Sequence, residues 1–127
     1  VSGVERSTPP PPRVLVTGAR DWRDAAAIRR ALSALPPGST VITGAASGAD
    51  RLAALVAADL GLGVEEYPAD WRRYGRAAGP IRNQWMLDHA RPDRVIAFHA
   101  DLARSRGTAD MLRRARRAGL PVTLVAR

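Results

Sequence analysis

The chain has 127 residues, enough for one compact domain and too few for two, and at 46% hydrophobic it can bury a core, which excludes wholesale disorder. No apolar run approaches the ~18 residues of a membrane span, no signal-type core of ~7–15 apolar residues opens the chain, and with no cysteine there is neither a disulfide nor a thiol nucleophile; a cytoplasmic protein without a membrane partner is expected. The net charge of +8 suits a polyanion, but all 20 basic residues are arginine in a chain rich in Ala, Gly and Pro, as a GC-rich coding bias produces, so charge alone selects no function.

Residues 1–12 read as a disordered tail, because Pro9 to Pro12 neither pair in a sheet nor continue a helix; residues 13–127 form the domain. Val14-Leu15-Val16-Thr17 is a β-branched run ending at Gly18, the pattern of a buried strand. Asp24 to Leu35 carries Ile28, Ala31, Leu32 and Leu35 on a helical stripe, with Asp24 as N-cap and Pro36-Pro37-Gly38 as the stop. The unit repeats: a strand at Thr40 to Thr43 ends at Gly44, and a helix from Ala49 to Leu60 sets Leu52, Ala53, Leu55, Val56 and Leu60 on one face. Val64 to Tyr67 is a weaker third strand, followed by a long connection, Pro68 to Gly79, and a helix from Pro80 to about Ala90. Val95 to Phe98 is the fourth strand. Thr108 to Ala118 is a helix with Met111, Leu112, Ala115 and Ala118 inward, and Val122 to Val125 is the fifth strand.

Alternating strands and helices specify an α/β class: one Rossmann-like, three-layer domain around a mostly parallel five-stranded sheet. Right-handed crossovers with a reversal after the third strand put the first strand beside the fourth, and ligands bind outside the strand ends at that reversal. The loops there carry the candidate residues. Gly18 lets the backbone approach a ligand, and Arg20 adds a forked cation suited to phosphate. Gly44, Ser47 and Gly48 run straight into a helix, a phosphate cradle in which Asp50 either caps its own helix or binds ribose hydroxyls or water. The absence of lysine excludes a Walker A loop. Gly107 and Thr108 open a second helix toward the same edge, with Asp110 in its first turn, and His99 at the fourth strand's end is a better candidate than His89. Between them, Trp71 and Tyr74 alternate with arginines as a mobile cover suited to stacking a base, and Arg82 and Asn83 project from the following helix. No metal ligand set and no cofactor is assigned.

These blocks resemble the SLOG superfamily in its YspA/YpsA-like (cpYpsA-related) branch. Val14 through Trp22 is similar to its opening strand and Gly-Ser-Arg-type turn, and Val41 to Asp50 to its Gly-Gly-Ala-x-Gly-Ala-Asp element. Pro68 to Trp71, Ala78 to Asn83 with Met86, and Gly107 to Asp110 complete the set. The resemblance implies binding of a nucleotide or nucleotide-derived ligand of the NAD, ADP-ribose or nucleoside monophosphate class. The related LOG phosphoribohydrolases imply N-glycosidic hydrolysis, and Arg82 and Met86 match their Arg-x-x-x-Met helix. Ser105 stands where those enzymes carry Gly and Met111 where they carry Glu, so Asp110 substitutes from one residue earlier. DprA-like relatives imply single-stranded DNA binding, and the LOG relatives imply a homo-oligomer, a dimer.

The resulting expectation is a sensor or N-glycosidic hydrolase. Arg20, Gly44, Gly48, Gly107 and Thr108 hold a 5′-phosphate, and Trp71 or Tyr74 stacks the base. Arg82, with Asp50 or Asp110, does any chemistry. The alternative is single-stranded DNA on the arginine surface, with Arg113 to Arg117 as its best patch.

Overall fold

Side-chain alternation along the apolar strands divides the core in two. In the computed structural model, which describes residues 10–126, β1 (Arg13–Gly18), β2 (Thr40–Thr43), β3 (Gly63–Glu66), β4 (Arg94–Phe98) and β5 (Val122–Val125) pair in the order β3-β2-β1-β4-β5. Every pairing is parallel, with Leu15 opposite Ile42 on one side and Val95 on the other. Val14, Val16 and Val41 face one way, against α1 (Ala25–Ser33) and α2 (Ala49–Asp59), where they meet Ile28, Leu32, Ala53 and Val56. Leu15, Ile42, Val95 and Ala97 face the other way, against Met86, Met111, Leu112 and Ala115. These belong to the layer of α4 (Ala78–Trp85) with its π-helical extension Met86–Ala90, and α5 (Arg106–Arg117). This is the expected three-layer, Rossmann-like architecture, with β1 beside β4.

Burial on both faces is confined to β1, β2 and β4. At the edges, β3 is largely exposed and Leu124 of β5 is open to solvent, because only one neighbouring strand and part of one helix cover each. Two expected core positions also face outward: Leu55 is 61% exposed, and Ala118 lies beyond the last buried turn of α5. The connection before α4 is not an open loop. Asp70 caps α3 (Trp71–Tyr74) by accepting from the Arg73 amide, and a 3-10 turn, Gly75–Ala77, leads into α4. That helix starts two residues before Pro80, which still falls in the first turn, where its missing N–H costs nothing.

Expectations for residues 1–9 lie outside the described residues; Pro12 accepts a hydrogen bond from the Thr40 amide at 3.1 Å. Among the described residues no helix is long and apolar enough to cross a membrane.

Candidate functional site

A cleft of about 820 Å³ opens at the carboxyl edge of the sheet, where the chain leaves β1 and β4 in opposite directions. Its walls come from residues 17–24 after β1 and 99–108 after β4, with Asp50 of α2 and Arg82 and Asn83 of α4 between them. Arg20, Arg82 and Thr108, far apart in the chain, therefore share one cavity.

In the β2–α2 turn, expected as a phosphate cradle, the amides of Gly44, Ala45 and Ala46 are taken up internally. Asp50 Oδ2 accepts from the amides of Gly44 (3.0 Å) and Ala46 (3.2 Å), and Thr43 Oγ1 accepts from Ala45. The first amide of α2, that of Ala49, donates to the Ala19 carbonyl. Asp50 thus braces the turn from inside the first helical turn, and Gly48 occupies the N-cap position. Gly44, Ser47 and Gly48 do not line the cleft.

The glycines have different physical reasons. A Cβ on Gly18 would lie 2.3 Å from the Phe98 carbonyl oxygen, so its smallness lets β1 approach β4. One on Gly48, at φ +77°, would lie 2.3 Å from the Ala19 oxygen, and one on Gly44 would strike the Arg82 guanidinium. Gly107 is surrounded by open space. It is the second residue of α5, whose N-cap is Ser105: the Ser105 hydroxyl accepts from the Thr108 amide at 3.2 Å. The amides of Arg106 and Gly107 precede the first intrahelical acceptor and face the helix's positive end. The first turn of α5 lines the cleft directly, whereas Ser47 and Gly48 before α2 do not.

Arg82 is partly buried, and that desolvation lowers its pKa; the Asp50 charge opposes the shift and the Arg20 charge adds to it. Its Nη1 donates to the carbonyls of Gly44 and Tyr67, and its Nε to Asn83 Oδ1 at 3.0 Å. Asn83 Nδ2 in turn donates to Asp110 Oδ2 at 3.0 Å and to the Gly107 carbonyl, binding α4 to the start of α5. Asp50 is 5% exposed; burial pushes its pKa up to about 6 against the opposing pull of the Ala46 and Gly44 amides and of Arg82 and Arg20. It is poised to exchange a proton near neutrality.

Asp110 differs. Burial disfavours its charge, but hydrogen bonds from Arg114 and Asn83 and the charges of Arg114 and Arg113 prevail and hold its pKa below the usual carboxylate range. It does not line the cleft. The same contacts engage two arginines of the Arg113 to Arg117 cluster.

Trp71 is 49% exposed on α3, outside the cleft lining, and carries the Arg20 guanidinium 5.8 Å above its ring. Tyr74 holds Arg73 similarly at 5.2 Å. Sequence reasoning did not commit to Asp21, Trp22, Asp101, Arg104 or Arg106, all of which line the cleft; their position in strand-end loops was the available signal. Met86 is buried as core, and His89 stacks on Trp85 away from the cleft. Among the described residues no group of three or more His, Cys, Asp or Glu side chains could hold a metal ion.

The family model for YspA, cpYpsA-related SLOG proteins matches residues 12–74. The chain is similar to the Gene 61 protein of Mycobacterium phage D29, 40% identical over an alignment of 119 residues that covers 87% of this chain and 93% of that protein. It is also similar in structure to DNA processing protein A (DprA) of Streptococcus pneumoniae. That likeness has a TM-score of 0.52 at 15% identity and covers 91% of this chain and 59% of the other, a likeness of fold alone.

Proposed function

Because the chain belongs to the YspA, cpYpsA-related SLOG family, we propose that its cleft binds a nucleotide or nucleotide-derived ligand of the NAD, ADP-ribose or nucleoside monophosphate class. The observation that carries this reading is the convergence of Arg20, Arg82 and the first turn of α5 on one cavity. A helix N-terminus with free amides and guanidinium groups nearby suits phosphate. The buried carboxylate of Asp50 suits ribose hydroxyls. The phosphate end of the ligand belongs at the first turn of α5, whose Arg106, Gly107 and Thr108 line the cleft, whereas Ser47 and Gly48 do not. Gly44, Ser47 and Gly48 then shape the site rather than touch the ligand, and Trp71 acts by holding Arg20.

Turnover, if the bound compound has an N-glycosidic bond, falls to Asp50 as the group that activates water, with Arg82 neutralising charge beside it. Asp110 is a tie between α4 and α5. Thermal denaturation with ADP-ribose, NAD and AMP tests binding: a ligand at about 100 times its Kd adds about 2.7 kcal/mol. An unchanged Tm with all three overturns the reading, and release of free base from a nucleoside monophosphate separates enzyme from sensor.

One observation favours a second reading, single-stranded nucleic acid. Trp71 and Tyr74 are exposed on α3, next to the exposed Arg72, Arg73 and Arg76. Aromatic faces next to arginines suit stacked bases and phosphates. Binding of short oligothymidylate at low salt that weakens steeply as salt rises is the expected result; no binding at low salt eliminates it.

A further inference from the structure

His99 follows β4 where the sheet order reverses, lines the cleft and is only 7% exposed. Its Nδ1 receives the Asp101 amide at 2.9 Å. A backbone amide can only donate, so Nδ1 is the unprotonated nitrogen and Nε2 carries the ring hydrogen. Nε2 finds no acceptor among the described residues, yet it is not among their fully enclosed unpartnered atoms, so it is open to the cleft. A donor locked in one tautomer, in a ring more than nine-tenths buried, is held ready for an acceptor that enters the cleft.

The charge around the cleft indicates which acceptor. The stretch after β4 that supplies His99 to the lining also supplies Arg104, Arg106 and the first residues of α5. The nearby Asp101 carboxylate turns aside to accept from the Ala103 amide. Asp21 and Asp24 come from the stretch after β1, where Asp24 caps α1, and Asp50 accepts from the Gly44 and Ala46 amides. We infer that His99 is a ligand-contacting residue whose Nε2–H donates to a phosphoryl oxygen seated at the start of α5. The inference deepens the nucleotide reading and rests on it for the rest of the ligand, but the phosphoryl contact can be tested alone.

The test is ring ¹H–¹⁵N correlation NMR of the full chain with three probes: inorganic phosphate, AMP and adenosine. The free protein should show the Nε2–H tautomer, and phosphate and AMP should shift the His99 signals while adenosine does not. Two substitutions separate contact from folding. His99→Asn keeps an acceptor for the Asp101 amide but draws the N–H donor back from the Nε2 position, and AMP affinity should fall about tenfold; His99→Gln restores a donor near the Nε2 position and should stay within about threefold. An Nδ1–H tautomer, His99 signals indifferent to phosphate, or wild-type AMP affinity in His99→Asn overturns the inference while leaving nucleotide binding intact. If phosphate shifts His99 but no nucleotide binds, the contact stands and the nucleotide reading falls. If neither probe has any effect, both fall.

Discussion

Asp50 is where burial and charge conflict most sharply. Its folded pKa of about 6 lies above the ordinary 3.8, so between these values the native state holds a proton that the unfolded chain has released. Its contribution to stability is fully present below about pH 4, declines as pH rises to about 6 and stays flat above, a loss of order 3 kcal/mol. Asp50→Asn keeps an oxygen for the Gly44 and Ala46 amides and removes the charge. The Tm of this variant should therefore show no slope between pH 4 and 6 beyond that of other groups, and should exceed wild type at pH 7.5. Asp50→Ala strands two amides instead and should lose about 1–3 kcal/mol at either pH by chemical denaturation. An Asn variant that melts below wild type at pH 7.5 would mean that the Arg82–Asp50 attraction outweighs desolvation.

Among the elements, the two helix starts at the cleft respond oppositely to the same substitution. Gly48→Ala forces a side chain to φ +77° and against the Ala19 oxygen, and should cost about 2 kcal/mol or more. Gly107→Ala adds a methyl facing open space within the first turn of a helix and should leave stability unchanged or raise it by up to about 1 kcal/mol. Because that methyl enters the space assigned to phosphate, AMP affinity should fall while the Tm does not; equal affinity would move the phosphate away from α5. The difference between these glycines was not legible in the sequence, where both follow a strand and precede a helix. The strands, their order and the switch point were legible, because apolar runs at β1, β2 and β4, the first two ending at Gly, alternate with amphipathic stripes. The short α3 left no periodic signal in Trp71-Arg72-Arg73-Tyr74; its only mark is the Asp70 cap. That the Gly44 and Ala46 amides are taken up depends on Asp50 reaching back to them, a contact that no spacing rule reveals.

For the molecule as a whole, the excess of 20 arginines over 12 acids sets long-range attraction for anions but does not by itself locate them. Pairing narrows the field. Arg82 is tied to carbonyls, and Arg113 and Arg114 to Asp110, whereas Arg72, Arg73 and Arg76 stand exposed beside Trp71 and Tyr74. If single-stranded nucleic acid binds, these three should supply the phosphate contacts, giving a slope of about −2 in log affinity against log salt. Replacing all three by Glu should abolish oligothymidylate binding in a fluorescence titration and should leave the AMP affinity of the cleft unchanged, since none of them lines it. Loss of both activities would mean that one continuous surface serves both ligands, with Arg20, stacked on Trp71 and also part of the cleft wall, as the link between them.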